Sequence, residues 1–106
     1  MASIQILSNY APTAANSVEL AFTATTDTAI ESFTASNTSG VNASYKAYIV
    51  SKLGIEQPQI PFKIVNFNTN DVGIGIVNQV IPKDGELRIE TSAINSIFFT
   101  VTGRTS

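Results

Sequence analysis

Apolar and polar residues alternate with period two along most of this chain, and no stretch sustains an i, i+3, i+4, i+7 apolar spacing. Side chains of a strand point to opposite faces in turn, so this pattern predicts half-buried strands, not amphipathic helices. Residues 4–7 form a short apolar run, a first strand or an arm, which Asn9-Tyr10-Ala11-Pro12 breaks. Val18, Leu20, Phe22 and Ala24 alternate with Glu19, Ala21 and Thr23, which predicts a strand with those four facing inward. Residues 29–36 follow, with Ala29, Phe33 and Ala35 set against Ile30, Ser32 and Thr34. The longest clean alternation is Val41, Ala43, Tyr45, Ala47 and Ile49, with Asn42, Ser44, Lys46 and Tyr48 on the other face.

Residues 51–59, containing Gly54 and Pro58, read as the longest loop. Ile60, Phe62 and Ile64 alternate beyond it, with a change of register near Val65 and Phe67. Val72, Ile74 and Ile76 predict a further strand, whose bare Gly73 and Gly75 mark a close approach of other backbone. Residues 86–91 place Leu87 and Ile89 inward and Glu86, Arg88 and Glu90 outward, and residues 97–102 make the last strand. Turn chemistry separates these runs at Thr25-Thr26-Asp27, Asn37-Thr38-Ser39-Gly40 and Asn68-Thr69-Asn70-Asp71. Pro82-Lys83-Asp84-Gly85 is the strongest hairpin signal, because Pro presets φ and Asp-Gly suits a tight turn. The expectation is an all-β chain, a single β-sandwich or jelly roll of seven or eight antiparallel strands. Residues 1–12 would be an N-terminal arm or edge strand and residues 13–106 the sandwich domain.

Composition supports the strand reading. Ile (13), Thr (12) and Val (8) supply about a third of the 106 residues, and these β-branched types favour a pleated surface over a helix. Charge changes the picture more. Asp, Glu, Lys and Arg make up 13% of the chain, against roughly 25% in an average soluble domain. Ser (11), Thr (12) and Asn (9) fill the outward positions instead. The net charge is −2 and the six basic residues are scattered, which argues against a nucleic-acid partner. The longest apolar candidate, residues 72–81, is too short and too interrupted for a membrane span, which takes about 20 apolar residues. The first ten residues lack the basic and apolar regions of a secretory signal, so synthesis in the cytoplasm is expected.

No His, Cys or Trp is present. Histidine-dependent nucleophile systems are thereby excluded, as are the usual ligands of zinc and other transition metals. Only carboxylates remain for chemistry, and no close acidic pair occurs in a loop. Glu86 and Glu90 are expected to pair with Arg88 and a neighbouring strand on a solvated face, not to act as a glycosidase pair. Asn68-Thr69-Asn70-Asp71-Val72-Gly73 has oxygen ligands at alternate positions, but Gln79 stands where a calcium loop needs Glu, so a plain Asx-rich turn is expected. Asn37-Thr38-Ser39 and Asn42-Ala43-Ser44 match glycosylation sequons, as chains this rich in Asn, Ser and Thr readily do. The reading is of a non-enzyme with no cofactor and no metal. Tyr45 belongs to a core face. Tyr10 and Tyr48 do not, and with Ile4, Ile6 and Leu7 they are the candidate interface residues, since Tyr is enriched at protein contacts.

One resemblance attaches to particular runs. Residues 28–40, ending in the Asn-Thr-Ser-Gly turn, lead into a strand closed by Ile49-Val50. Later come Ile81-Pro82-Lys83-Asp84-Gly85-Glu86-Leu87-Arg88-Ile89 and Phe99-Thr100-Val101-Thr102-Gly103. Over about residues 20–104 this order resembles small virion structural proteins of tailed bacteriophages, of roughly 100 residues and sandwich type. The chain departs from that group in residues 1–12 and in residues 57–63, where Pro58 and Pro61 are unexpected. The resemblance implies a capsid decoration or cement subunit, with the major capsid protein or other virion proteins as partners. It also implies a virion location and a homo-oligomer, a dimer or trimer on a local symmetry axis. A tail, neck or fibre component with a receptor- or carbohydrate-binding role is the alternative. The group has no known active site, so the resemblance implies no catalytic residue.

Overall fold

The computed structural model describes residues 4–105. Nine strands form: β1 (Gln5–Tyr10), β2 (Glu19–Thr23), β3 (Thr28–Asn37), β4 (Ala43–Val50), β5 (Glu56–Val65), β6 (Thr69–Asp71), β7 (Val80–Ile81), β8 (Glu86–Thr91) and β9 (Ile97–Thr105). They make two antiparallel sheets. Sheet A runs β1-β9-β3-β6 with β7 also paired to β3, and sheet B runs β2-β8-β4-β5. Both β6 and β7 lie antiparallel to β3, at its two ends, so together they act as one strand broken in the middle. With that strand counted once, the first strand pairs with the eighth, the second with the seventh, the third with the sixth and the fourth with the fifth. This is one long antiparallel hairpin wrapped into two layers, the jelly-roll order.

Inward positions of both sheets fill the core. Ile30, Phe33 and Ala35 of β3 and Ile97, Phe99 and Val101 of β9 meet Tyr45, Ala47, Leu87 and Ile89 of sheet B, all essentially inaccessible. Phe33, Tyr45 and Phe99 form an aromatic cluster with ring centroids 5.3–5.8 Å apart, each pair adding about 1 kcal/mol to its area burial. The Tyr45 hydroxyl crosses to sheet A and donates to the Asp71 carboxylate, which also accepts from the Gly73 amide at 3.2 Å. Burial, and then that bond, pushes the Tyr45 phenol well above its ordinary pKa.

Three predicted inward faces are shifted by β-bulges. A bulge between Ile30 and Ser32 turns both Ile30 and Phe33 inward, where strict alternation opposes them. Another, between Leu20 and Phe22, leaves Leu20 exposed while Ala21 and Phe22 pack on the core. The pairing of β4 with β5 slips near Ala47, so Ile60 and Val65 face inward and Phe62 and Ile64 outward. Val41 precedes β4 and is exposed. Strand β5 starts earlier than predicted, which shortens the loop expected over residues 51–59.

Residues 72–79 do not form the predicted strand. They leave the sheet in a tight turn, with the Ile76 and Val77 amides donating to the Gly73 carbonyl. The close approach read from the glycines is nonetheless present: a Cβ on Gly73, at φ +61°, would lie 2.4 Å from the Phe33 ring. The turn at Pro82–Gly85 is tight, with the Gly85 amide on the Pro82 carbonyl, but it carries the chain from β7 in sheet A to β8 in sheet B. It is a crossover between layers, not a hairpin.

Candidate functional site

Charge is distributed unequally between the two outer faces. On sheet B, Arg88 of β8 forms ion pairs with Glu86 at 2.7 Å and with Glu56 of β5 at 3.1 Å, and Lys46 of β4 lies 4.0 Å from Glu90. Tyr48 pairs with Arg88 across the strands and is half-buried within this network. Glu86 and Glu90 therefore sit on a charged outer face, as their alternation implied.

Sheet A presents a different surface. Register places Ser32, Thr34 and Ser36 of β3 beside Thr102, Thr100 and Phe98 of β9. Strand β1 adds Ile6 beside Thr102 and Asn9 beside Thr100. The hydroxyls bond across the strands, Ser32 with Thr102 at 2.5 Å and Ser36 donating to Asn70 of β6 at 2.7 Å. An ion pair joins Glu31 to Arg104 at the end of this face. Flanking the hydroxyl rows are exposed apolar side chains: Ile4 and Ile6 at the β1 border, Phe98 at one end, and Val72 and Ile74 along the broken strand. A groove of about 430 Å³ lies between β3 and that last wall, lined by Glu31, Ser32 and Thr34 on one side and by Val72, Ile74 and Asn78 on the other.

Short hydroxyl and apolar side chains dominate this face. The hydroxyl side chains lose little rotamer entropy, and those of Ser32, Thr102 and Ser36 are already hydrogen-bonded across the strands. Interface cores are depleted of Lys, Glu and Asp, because a charge buried at a contact without a partner is costly. Among the described residues no group of three or more acidic side chains converges as a metal site, and no helix is long and apolar enough to cross a membrane.

The expected interface residues do not form one site. Ile4 and Ile6 are exposed at 52% and 63% on the β1 side of sheet A. Leu7 lies next to them in sequence but points into the core at the β1 bulge, where the extra residue turns it inward. Tyr10 is half-buried at the inner margin of the same strand; burial first, and the Glu19 charge second, raise its pKa. Tyr48 belongs to the charged face of the other sheet, so it cannot share a contact surface with β1. The Ser and Thr rows of β3 and β9 and the Val72–Ile74 wall were missed as site residues. Their signal was present as outward hydroxyl positions on two long strands, but which strands are neighbours depends on long-range pairing.

Asn37 resolves one of the sequons. Its side chain is buried, donating to the Val41 and Val65 carbonyls at 2.9 Å each and accepting from the Ser39 amide and hydroxyl. It is a structural hub, closed to modification in the folded chain. The prolines of residues 57–63 also have a place: Pro58 and Pro61 lie on β5, an edge strand of sheet B, where a missing N–H costs no internal ladder bond. Comparison with protein-family models, with curated proteins and with solved structures finds no match to this chain.

Proposed function

We propose that this chain is a non-enzymatic assembly subunit of a virion. It decorates or cements a tailed-phage capsid, contacts the major capsid protein through the outer face of sheet A, and acts as a homo-oligomer. The observation that carries the reading is the unequal placement of charge: the ion pairs of Arg88 and Lys46 lie on sheet B, beside exposed Phe62 and Ile64, while sheet A offers rows of Ser, Thr and Asn bordered by Ile6, Phe98, Val72 and Ile74, with the Glu31–Arg104 pair at one end. A free monomer gains no solubility from that arrangement, whereas a subunit lying against a shell avoids stranding charge at the contact. The jelly-roll order supports the reading by analogy, since viral capsid domains use it along with lectins and cupins. Its action would be mechanical, adding buried area across neighbouring shell subunits.

The test is co-sedimentation of the purified chain with undecorated capsids of the phage whose genome encodes it, followed by immunogold labelling. Saturable binding with label over the head is expected. Label confined to the tail or neck would replace decoration with the tail-component alternative, and absence of any binding to virion parts would overturn the reading.

A further inference from the structure

We propose that β1 is the edge by which two copies of this chain pair, antiparallel and about a two-fold axis centred on Asn9. An exposed sheet edge carries unpaired backbone donors and acceptors, and proteins guard such edges with proline, charge, brevity or bulges. The other edges here are so guarded. Strand β5 carries Pro58, Pro61, Glu56 and Lys63; β2 has five residues, a bulge and Glu19; β6 and β7 have three and two residues. Strand β1 is six residues long, Gln-Ile-Leu-Ser-Asn-Tyr, with no proline and no charge, and its bulge at Leu7 leaves Ser8, Asn9 and Tyr10 in regular pairing with β9.

The absence of charge matters because a two-fold contact sets the axis residue against its own copy and its neighbours close to theirs, so a charge at or beside the axis would lie near its like. Centred on Asn9, the pair places Asn9 against Asn9 of the second copy on the outward side. Ser8 then lies opposite Tyr10 of the second copy on the inward side. These two are also the side chains whose hydrogen bonding is incomplete: among the described residues, Ser8 Oγ and Tyr10 Oη are the buried polar atoms with no partner, and Ser8 is 6% exposed. Both orphans sit on the edge that, among the described strands, is guarded by neither proline nor charge and has its bulge at one end. Pairing there also joins two charge-poor sheet A faces into a continuous surface, with Ile6 of each copy beside the seam. The inference deepens the assembly reading and rests on it for the use of the dimer, although the pairing is testable without any particle. A six-residue edge buries less than a standard interface of about 1,200–2,000 Å², so the dimer is concentration-dependent.

Analytical ultracentrifugation of the full chain over a wide concentration range tests it, with Asn9→Lys alongside. The weight-average mass should rise from one chain toward two, and Asn9→Lys should weaken association about tenfold or more by opposing like charges at the axis, with unchanged thermal stability. The chain has no cysteine of its own among the described residues or in its sequence, so Asn9→Cys reports the register. Mild oxidation should give a covalent dimer with Asn9→Cys and not with Phe62→Cys on sheet B, since paired strands bring Cβ atoms within disulfide reach. A wild-type chain that stays monomeric throughout overturns the inference, as does Asn9→Lys dimerising as well as wild type or Phe62→Cys cross-linking as readily as Asn9→Cys. None of these results decides binding to capsids, which stands or falls on the co-sedimentation above.

Discussion

Replacing Asn37 with Ala probes how much of this fold depends on one polar side chain. Asn37 is 1% exposed, and its amide donates to Val41 O and Val65 O at 2.9 Å while its oxygen accepts from the Ser39 amide at 3.0 Å and the Ser39 hydroxyl at 2.8 Å. Those four bonds tie the end of β3 to the start of β4 and the end of β5, across both sheets. Three of them lie near the surface, where water substitutes and each loss costs about 0.5 kcal/mol. The bond to Val65 is buried, and Val65 itself is 2% exposed, so its carbonyl is orphaned at about 1–3 kcal/mol. The sum is roughly 2.5–4.5 kcal/mol, and with about 4–8 °C of melting temperature per kcal/mol for a domain near this size, the melt should fall by roughly 10–35 °C. Urea unfolding followed by far-ultraviolet circular dichroism measures it, with an unchanged slope showing that compactness is preserved. Asn42→Ala is the control: Asn42 is exposed and its side-chain oxygen accepts from the Phe67 amide, so its effect should stay within about 0.5 kcal/mol. A loss below 1 kcal/mol for Asn37→Ala would refute the argument that this side chain holds the sheets in register.

Three further outcomes follow from the same geometry. Tyr45 keeps its proton in the folded chain well past the value near 10 at which an unfolded tyrosine titrates. Its contribution is therefore complete below about pH 10 and is lost as pH rises above it, because the unfolded state then binds fewer protons. Denaturant midpoints should fall through this alkaline range in wild type and fall less steeply in Tyr45→Phe. Gly73→Ala must place a methyl on a left-handed residue 2.4 Å from the Phe33 ring, which should cost at least about 2 kcal/mol by the same urea assay. Replacing Pro58 and Pro61 together by Thr restores two edge donors on β5 and should increase light-scattering aggregation on mild warming, at nearly unchanged thermal stability.

Much of the architecture is legible in the sequence, and the failures share a cause. Strands β4 and β8 keep their alternation over most of their length, so Ala43, Tyr45, Ala47, Leu87 and Ile89 could be placed inward from spacing alone. Leu20, Ile30, Phe62 and Ile64 could not, because each lies beside a register shift. A bulge is a property of two paired strands, and nothing local distinguishes a bulged residue from its neighbours. The excursion over residues 72–79 is the instructive case: its glycines signalled close packing against something, but the Phe33 ring and the Gln59 carbonyl that they meet come from distant strands. The candidate face was visible only as a shortage of charge. Where the remaining charges gather follows from pairing, for Glu56 and Arg88 meet across β4 from opposite sides of sheet B. Interface residues chosen for being aromatic or terminal were scattered by the fold, whereas the hydroxyl rows that the fold assembles look ordinary one residue at a time.

The central claim is that the hydroxyl-rich, charge-poor face of sheet A is the docking surface, and paired substitutions on the two outer faces test it most directly. Thr34→Lys with Thr100→Lys introduces two charges on adjacent strands of sheet A, since these residues are register partners. Ser44→Lys places a charge on the outer face of sheet B, where Lys46 already stands. Binding to undecorated capsids should be abolished by the sheet A pair and retained by Ser44→Lys, with both proteins folded by circular dichroism. Retained binding by the sheet A pair, or its loss on changing sheet B alone, would contradict the account.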